Sequence, residues 1–155
     1  MVMNDSEKSA CLKIARGVGV FKPQEIEVLK EVLEECSGCQ DEDYVIFLEK
    51  EGDSVLGLII FSRTDITESA WDIYWLIVAK DVQGRGMGKK LVKRMEDFIL
   101  EREPLAILRV ETSTKHEYAH ARNLYLRCGF NEAGKIPDFY AKDDDLLIFY
   151  KKIPS

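Results

Sequence analysis

Apolar residues recur along the chain at two spacings, and each spacing predicts a different kind of element. Runs in which they stand three or four positions apart predict helices over residues 23–38, 89–100 and 117–128. Shorter apolar runs, bounded by glycine, proline or acidic residues, predict strands. These strands cover residues 10–16, 44–49, 55–62, 71–78, 105–112 and 146–151, and a further strand is expected around Lys135.

The alternation of strands and helices predicts a mixed α/β fold, in which helices cover a mixed sheet. Residues 71–78 are apolar on both faces, as is typical of a central strand. Gly57 interrupts the preceding strand and indicates a bulge. We expect one domain over residues 1–155, because this length suits a single hydrophobic core, and we expect the polar residues 1–9 to be disordered.

Charge and composition argue against two classes of partner. The net charge is −6, whereas a nucleic-acid-binding protein needs a basic face. No apolar run approaches the ~18 residues of a membrane-spanning helix, and no basic and apolar leader marks the chain for export. We therefore expect a cytoplasmic protein, without nucleic-acid or membrane partners, whose four cysteines are reduced thiols.

The most informative segment is a glycine-rich turn between a predicted strand and a predicted helix, Gln83-Gly84-Arg85-Gly86-Met87-Gly88. Glycine lets the backbone approach a ligand closely, and a helix N-terminus offers unpaired N–H groups at a positive dipole end. This layout predicts a cradle for a phosphorylated cofactor. A glycine-rich turn without a ligand is the structural alternative.

The spacing of the glycines excludes the two commonest phosphate motifs. A P-loop would need glycine at Gln83 and serine or threonine at Lys90. A dinucleotide fingerprint would need its third glycine at Lys89. The pattern that remains is Q-x-x-G-x-G.

This pattern resembles motif A of the GNAT superfamily of N-acetyltransferases, which cradles the pyrophosphate of acetyl-coenzyme A. Residues 121–130, Ala-Arg-Asn-Leu-Tyr-Leu-Arg-Cys-Gly-Phe, are similar to a second signature of that family, A-x-x-L-Y-x-x-x-G-F. The resemblance covers residues 71–153, about half of the chain. It implies a central mixed, mostly antiparallel sheet of roughly six to seven strands with about four helices, one of them between Cys36 and Tyr44.

The resemblance also implies acetyl-coenzyme A as cosubstrate and assigns two sets of backbone groups to it. The strand before the motif would pair with the pantetheine arm, and the amides of the turn would bind the pyrophosphate. The implied residues are Leu76, Ile77, Val78, Gln83, Gly84, Arg85, Gly86, Met87, Gly88 and Lys89. The strand side chains are expected to be core. The cations Lys90, Lys93 and Arg94 form either a further phosphate contact or an ordinary solvated helix face.

Two residues are implied as catalytic groups. In the family the tyrosine of the second signature, here Tyr125, typically protonates the departing thiolate, which suits a phenol of pKa ~10 beside a thiol of pKa ~8.5. Some peptide N-terminal acetyltransferases use a glutamate base at the position of Arg109. Glu111 lies two residues further on the same strand face and is the candidate base, with Asp72 and Tyr74 as weaker candidates. Tyr125 as a packed helix residue and Glu111 as a surface carboxylate are the structural alternatives.

The chain departs from the family pattern before the second signature. Many relatives place an asparagine seven residues before the tyrosine, where it binds the pantetheine arm. Tyr118 stands at that position, and a few additional residues separate it from the preceding strand. The resemblance therefore leaves the pantetheine contacts of this region open.

A metal site is not expected. The pairs Cys36/Cys39 and His116/His120 offer zinc-ligand residue types, but the stretch between them is far longer than the ~12–15 residues of a zinc finger.

The expected function is N-acetyltransfer from acetyl-coenzyme A to a primary amine, by direct transfer in a ternary complex. The acceptor would be a small amine or the N-terminal amine of a peptide, and residues 136–140 are similar to the acceptor-side loop of some relatives. A non-catalytic acyl-coenzyme A sensor is the alternative that stays open. Homodimers are common in the family, and the sequence does not fix the oligomeric state.

Overall fold

The computed structural model describes residues 3–38 and 44–155. In chain order these residues form α1 (Asp5–Val18), α2 (Pro23–Gly38), β1 (Val45–Glu51), β2 (Ser54–Arg63), β3 (Ala70–Val78), α3 (Met87–Leu100), β4 (Ala106–Ser113), α4 (Ala119–Arg127), β5 (Asn131–Ala141) and β6 (Asp144–Ile153). Short 3-10 turns precede α3 and α4 at Lys80–Val82 and His116–Tyr118.

The strands form one six-stranded sheet in the order β1-β2-β3-β4-β6-β5. The pairs β1–β2, β4–β6 and β5–β6 are antiparallel, and β3 and β4 are parallel. The predicted fold class, a mixed and mostly antiparallel sheet accompanied by helices, is confirmed. The helix that the resemblance implied between Cys36 and Tyr44 falls on residues 39–43, outside the described residues.

The chain divides into two compact units. The first comprises Met1–Ser62 and Tyr74–Met95, and the second comprises Arg63–Ile73 and Glu96–Ser155. β3 and α3 each contribute residues to both units. The expectation of one domain over residues 1–155 stays a prediction.

The helix α1 begins at Asp5, whereas the whole of residues 1–9 is expected from the sequence to be disordered. The Asn4 side chain accepts a hydrogen bond from the Glu7 N–H at 2.8 Å, and the Glu7 carboxylate accepts one from the Asn4 N–H at 3.2 Å. This reciprocal capping box satisfies two of the backbone donors that a helix N-terminus leaves unpaired. The helix ends at Gly19, whose φ of 78° is left-handed.

The prediction of a strand over residues 10–16 is wrong, because α1 occupies them. The prediction came from Ala10, Leu12 and Ile14, which stand two positions apart, as the residues on one face of a strand do. The fully buried residues are instead Cys11 and Ala15, which stand one helical turn apart. Both belong to a core that also contains α2 and the β1–β2 hairpin, including Leu29, Leu33, Ile46 and Leu58.

The β1–β2 hairpin contains the bulge that Gly57 indicated. Glu49 pairs with Gly57 while the next residue, Lys50, pairs with Val55, so Leu56 is the extra residue. A Cβ atom on Gly57 would lie 3.0 Å from the Ile77 carbonyl oxygen and 3.1 Å from Leu91 Cδ1. Glycine therefore suits this position, because β3 and α3 approach the backbone of β2 so closely that a methyl group would force a neighbouring atom to shift.

The second unit is built on β4. Its residues 107–110 pair with residues 70–73 of β3, and the whole strand pairs with β6. Burial alternates along β4, with Ala106, Leu108 and Val110 inside. The strand expected around Lys135 is confirmed as β5, which is the edge of the sheet and is exposed along most of its length.

Within the described residues, none of the helices combines the length and the apolar character needed to cross a membrane.

Replacing Gly57 by alanine should destabilise the protein by about 1–3 kcal/mol, because the new methyl group overpacks a backbone contact that has little freedom to move. Chemical denaturation measures this free energy of unfolding. Gly134→Ala is the matched control, since nothing lies within 4 Å of a Cβ atom at that position, and it should change stability by less than about 0.5 kcal/mol. Equal effects of the two substitutions would contradict the close approach at Gly57.

Candidate active site

The glycine-rich turn lies in the first unit, where it joins β3 to α3. Gly84 and Gly86 have φ values of 84° and 78°, and nothing lies within 4 Å of a Cβ atom on either. Glycine is thus required by the left-handed backbone and not by crowding. The first backbone bond of α3 runs from the Lys90 N–H to the Gly86 carbonyl at 3.0 Å. The N–H groups of residues 87–89 precede that bond and have no partner within the helix.

The Gln83 side chain fixes the entry to this turn. Its amide Nε2 donates a hydrogen bond to the Val78 carbonyl at 3.1 Å, which ties the turn to the end of β3. Two backbone hydrogen bonds fix the residues before the turn. The Ala79 N–H donates to the Leu56 carbonyl of β2 at 2.8 Å, and the Val82 N–H donates to the Ala79 carbonyl at 3.0 Å. The turn is therefore an ordered structure before any ligand is considered.

The cations of α3 separate into two groups. Glu49 of β1 forms ion pairs with Lys90 at 3.0 Å and with Arg94 at 2.8 Å. Neither Arg85 nor Lys89 forms an ion pair with any residue that the structure describes, and both are exposed. Lys90 and Arg94 thus attach α3 to the hairpin, whereas Arg85 and Lys89 are available to an anion.

Glu49 is the centre of this attachment. Its burial raises the pKa of the carboxyl group, but the hydrogen bonds from Lys90 and Arg94 lower it by more, so the pKa lies below its ordinary value. Arg94 also donates to the Leu48 carbonyl at 2.8 Å, and its guanidinium lies 4.6 Å from the centre of the Phe47 ring. No sequence pattern linked Glu49 to α3, since the contact depends on which strand lies beside the helix.

The strand residues assigned to the cosubstrate lie at the end of β3, in the same unit. Ile77 and Val78 are buried and Leu76 is half-buried, so their side chains are core as expected and only their backbone groups are available. The register between β3 and β4 covers residues 70–73 of β3, and these three residues follow it.

Tyr125 lies on α4 in the second unit and is 5% exposed. Its ring centre is 5.7 Å from that of Phe130 and 6.1 Å from that of Phe149. Burial, and to a smaller extent the neighbouring Cys128 thiol, raise the pKa of the Tyr125 phenol above its ordinary value. The phenol therefore stays protonated at every pH at which the protein is expected to work.

Glu111 lies on β4, also in the second unit, opposite Ile148 of β6. Its side chain is exposed and forms no ion pair with the described residues. Asp72, by contrast, accepts two hydrogen bonds from Arg109 at 2.6 and 3.0 Å and one from the Thr64 hydroxyl at 2.7 Å. Asp72 is thereby engaged as an ion-pair partner, and Glu111 is the more accessible proton acceptor of the two.

The structure thus places every implied cosubstrate residue in the first unit and both implied catalytic residues in the second. Tyr74, the remaining candidate for the base, belongs to the first unit, where its half-exposed ring packs edge-on against Tyr44 at 5.5 Å.

The residues considered for zinc do not form a described cluster. Cys39 and the side chain of Cys36 lie outside the described residues, and His116 and His120 are exposed. Among the described residues no three His, Cys, Asp or Glu side chains are grouped so that they could hold a metal ion. Cys11 is a buried free thiol, and burial raises its pKa to about 12.

Comparison with known proteins adds an independent observation to this geometry. The profile of the acetyltransferase (GNAT) domain matches residues 41–132, which include the glycine turn and the whole second signature. The chain belongs to the GNAT family of acetyltransferases. No curated protein sequence matches it.

Solved structures share the fold of this GNAT domain over nearly its whole length. A protein from Desulfovibrio desulfuricans that is assigned to the GNAT family as an acetyltransferase is 26% identical, with a TM-score of 0.87 over 97% of this chain and 94% of that one. The ribosomal-protein-S18-alanine N-acetyltransferase from Escherichia coli is 21% identical, with a TM-score of 0.75 over 100% and 93%. An aminoglycoside 6'-N-acetyltransferase complexed with coenzyme A is 15% identical, with a TM-score of 0.77 over 98% and 93%. The last two likenesses concern the fold alone.

The turn of this GNAT domain suits a diphosphate. Open space surrounds Gly84 and Gly86, free amides begin α3, and two uncommitted cations stand at Arg85 and Lys89. A helix N-terminus with these features is a favourable environment for phosphate groups.

Glu49→Gln should lower the free energy of unfolding at neutral pH by about 1–2 kcal/mol, because the side chain that accepts hydrogen bonds from Lys90 and Arg94 is then neutral. A carboxylate whose pKa is lower in the folded than in the unfolded state stabilises the fold above pH ~4.3, and this contribution disappears as the pH falls through the folded pKa. Wild type should therefore lose more stability between pH 7 and pH 3 than the variant. Urea denaturation at several pH values measures this difference.

Glu51→Gln is the control for this experiment, because Glu51 ends the same strand and is exposed. Its pH dependence should match that of the wild type. Parallel pH dependences for wild type and Glu49→Gln would contradict the attachment role of Glu49.

Proposed function

We propose that this GNAT domain transfers an acetyl group from acetyl-coenzyme A directly to a primary amine in a ternary complex. The acceptor is a small amine or the N-terminal amine of a peptide. The observation that supports this most strongly is the glycine turn, whose left-handed glycines open onto the N-terminus of α3. Two proteins with the same fold are named for acetylating such amines. One is an aminoglycoside 6'-N-acetyltransferase and the other is a ribosomal-protein-S18-alanine N-acetyltransferase.

The turn would bind the cosubstrate through its diphosphate. The N–H groups of residues 87–89 and the positive end of the α3 dipole would face the phosphate oxygens, and Arg85 and Lys89 would add charge-assisted hydrogen bonds. The aminoglycoside acetyltransferase with this fold is complexed with coenzyme A. Acetyl-coenzyme A supplies an activated acyl thioester. The protein then needs only to orient the amine, to accept the proton that the amine loses and to donate a hydrogen bond or proton to the departing sulfur.

Tyr125 would serve the departing sulfur. Because its pKa is raised, the phenol is present as a hydrogen-bond donor over the whole working range of pH. The same rise makes complete proton transfer to a thiolate of pKa ~8.5 less favourable. Tyr125 therefore acts best while charge is developing on the sulfur, when its hydrogen bond stabilises the transition state more than the ground state.

Glu111 would take the proton that the attacking amine loses. How much it contributes depends on the acceptor, since a lysine amine of pKa ~10.4 is free about once in a thousand at neutral pH, whereas an α-amine of pKa ~7.8 is roughly a quarter free. An exposed carboxylate is a weak base. This arrangement therefore suits an α-amine or a similarly weak base better than lysine.

The end of β5 would contact the acceptor. Residues 136–140, which resemble an acceptor-side loop in sequence, belong to β5, whose pairing with β6 is irregular there. Asp138 has a left-handed backbone, its N–H donates to the Asp145 carboxylate at 2.8 Å, and its own carboxylate accepts from the Asp143 N–H at 2.8 Å. The segment displays Phe139 and Tyr140, which are half-exposed and packed edge-to-face at 5.1 Å. Two ordered aromatic rings facing solvent favour contact with an apolar part of an acceptor.

One observation favours the alternative, a sensor that binds acyl-coenzyme A without turnover. Arg109 stands where some relatives have the glutamate base, and it is held by Asp72 in a bidentate ion pair. A protein that had lost its base would keep the cradle but show no acetyl transfer.

Release of free thiol from acetyl-coenzyme A tests the proposal directly, with a panel of small amines and short peptides and with mass spectrometry of the acetylated product. The proposal expects turnover with at least one amine. Tyr125→Phe should lower kcat by about 10²–10⁴-fold and change the Kd for acetyl-coenzyme A by less than about threefold, because the hydroxyl acts on the leaving group and not on the phosphates. Tight binding without turnover across the panel would favour the sensor.

Arg85→Gln and Lys89→Gln should each raise the Kd for coenzyme A by about 3–10-fold, because each removes a charge-assisted contact to phosphate. Calorimetry at two salt concentrations measures this, and the variants should be less sensitive to salt than the wild type. Lys90→Gln is the matched control, because Lys90 already pairs with Glu49, and it should change Kd by less than about twofold. A larger effect at Lys90 than at its neighbours would place the phosphates elsewhere.

A further inference from the structure

Arg122 links α4 to the end of β4 and to the segment between them. One nitrogen of its guanidinium, Nη1, donates to the Ser113 carbonyl at 2.7 Å and to the Lys115 carbonyl at 2.6 Å. Ser113 is the last residue of β4, and Lys115 lies just before the 3-10 turn that leads into α4. The side chain therefore cross-links the strand end to the helix that follows it.

This connection is the place where the chain departs from the family pattern, with Tyr118 in the position of the usual asparagine. Several of its other polar groups are hydrogen-bonded locally. The Ser113 hydroxyl bonds to the buried Asp144 carboxylate and accepts from the Lys115 N–H at 3.0 Å. The Thr114 N–H donates to the Asp145 carbonyl at 3.0 Å. Arg122 donates to two carbonyls of the connection, so its removal would take away the side-chain link between the strand end and α4.

α4 depends on such anchors because it is short. It has 9 residues and no side-chain hydrogen bond caps its N-terminus, and an isolated helix of this length is marginal in water. Its C-terminal end is fixed by the Tyr125 ring against Phe130 and Phe149. Its N-terminal end is fixed by Arg122, one helical turn before Tyr125 and on the same side of the helix.

We propose that Arg122 is a positioning residue for the Tyr125 hydroxyl, acting by holding α4 at a set distance from the end of the strand that bears Glu111. This inference rests on the proposed role of Tyr125 as hydrogen-bond donor to the leaving sulfur. A donor displaced by about 1 Å loses much of its effect on a transition state, of the order of 10²-fold in rate. The cosubstrate cradle contains no part of this cross-link.

A double-mutant cycle tests the proposal, with wild type, Arg122→Gln, Tyr125→Phe and the combined variant. Arg122→Gln should lower kcat by about 10–100-fold, with the KM for acetyl-coenzyme A unchanged within about threefold. In the Tyr125→Phe background the same substitution should change kcat by less than about threefold, because there is no hydroxyl left to position. Arg127→Gln, on the same helix and exposed, should leave kcat unchanged in both backgrounds.

The cycle can be measured before the acceptor is identified. Hydrolysis of acetyl-coenzyme A by water requires the same departure of the thiolate and can be followed by the same thiol assay. Thermal midpoints of all variants show whether they are folded. Arg122→Lys, which keeps a cationic donor, should recover part of the lost kcat, and it replaces the glutamine variant in the cycle if the latter does not fold.

Two results would overturn the proposal, and they differ in what else they remove. An equal loss of kcat on Arg122→Gln in both backgrounds would show that Arg122 acts independently of Tyr125, and it would leave the role of Tyr125 intact. An unchanged kcat in Tyr125→Phe alone would remove the proposed role of Tyr125 and the positioning role together.

Discussion

The candidate phosphate cradle depends on how closely α3 approaches the β1–β2 hairpin. Gly57 permits that approach, because any side chain there would meet the Ile77 carbonyl and Leu91. Glu49, paired with Gly57 in the hairpin, then binds Lys90 and Arg94 on the first turns of the helix. The N-terminus of α3 is thereby held where β3 ends, and the turn between them has little freedom left. A phosphate site made of backbone amides needs this rigidity, since amides cannot reorient individually as side chains do.

The candidate catalytic residue Tyr125 is supported differently, because α4 is short and no side-chain hydrogen bond caps its N-terminus. Tyr125 is both a candidate catalytic group and part of the packing that fixes its helix, through Phe130 and Phe149. Its burial therefore has two consequences that cannot be separated: the ring is immobilised, and the phenol is kept neutral. Arg122 adds the second point of attachment, at the opposite end of the helix.

Local signals were sufficient to predict the parts of the chain in which sequence neighbours are also structural neighbours. The glycine turn, the hairpin with its bulge at Gly57, and the helices α2 and α3 are of this kind. The first helix was missed because Ala10, Leu12 and Ile14 have the spacing of a strand, although Asn4 and Glu7 have the spacing of a capping box. The roles of Glu49 and Arg122 could not be predicted, since each depends on contacts with residues more distant in sequence, 41 or more for Glu49 and 7–9 for Arg122. The sequence also could not decide which cations of α3 remain free, because that depends on the position of Glu49.

The raised pKa of Tyr125 constrains where the pH dependence of the reaction can arise. A phenol that remains neutral beyond the ordinary range of tyrosine does not titrate where the protein works, so Tyr125 in its proposed role would contribute a constant factor to the rate. The acceptor amine must still lose its proton before it attacks, and its ionisation changes with pH. The acidic limb of the rate profile then reports the pKa of the acceptor, and an acceptor with a low pKa works at a lower pH. In the proposed mechanism the acceptor amine thus sets the working pH, which is consistent with the exposed side chain of Glu111 and the buried, protonated phenol of Tyr125.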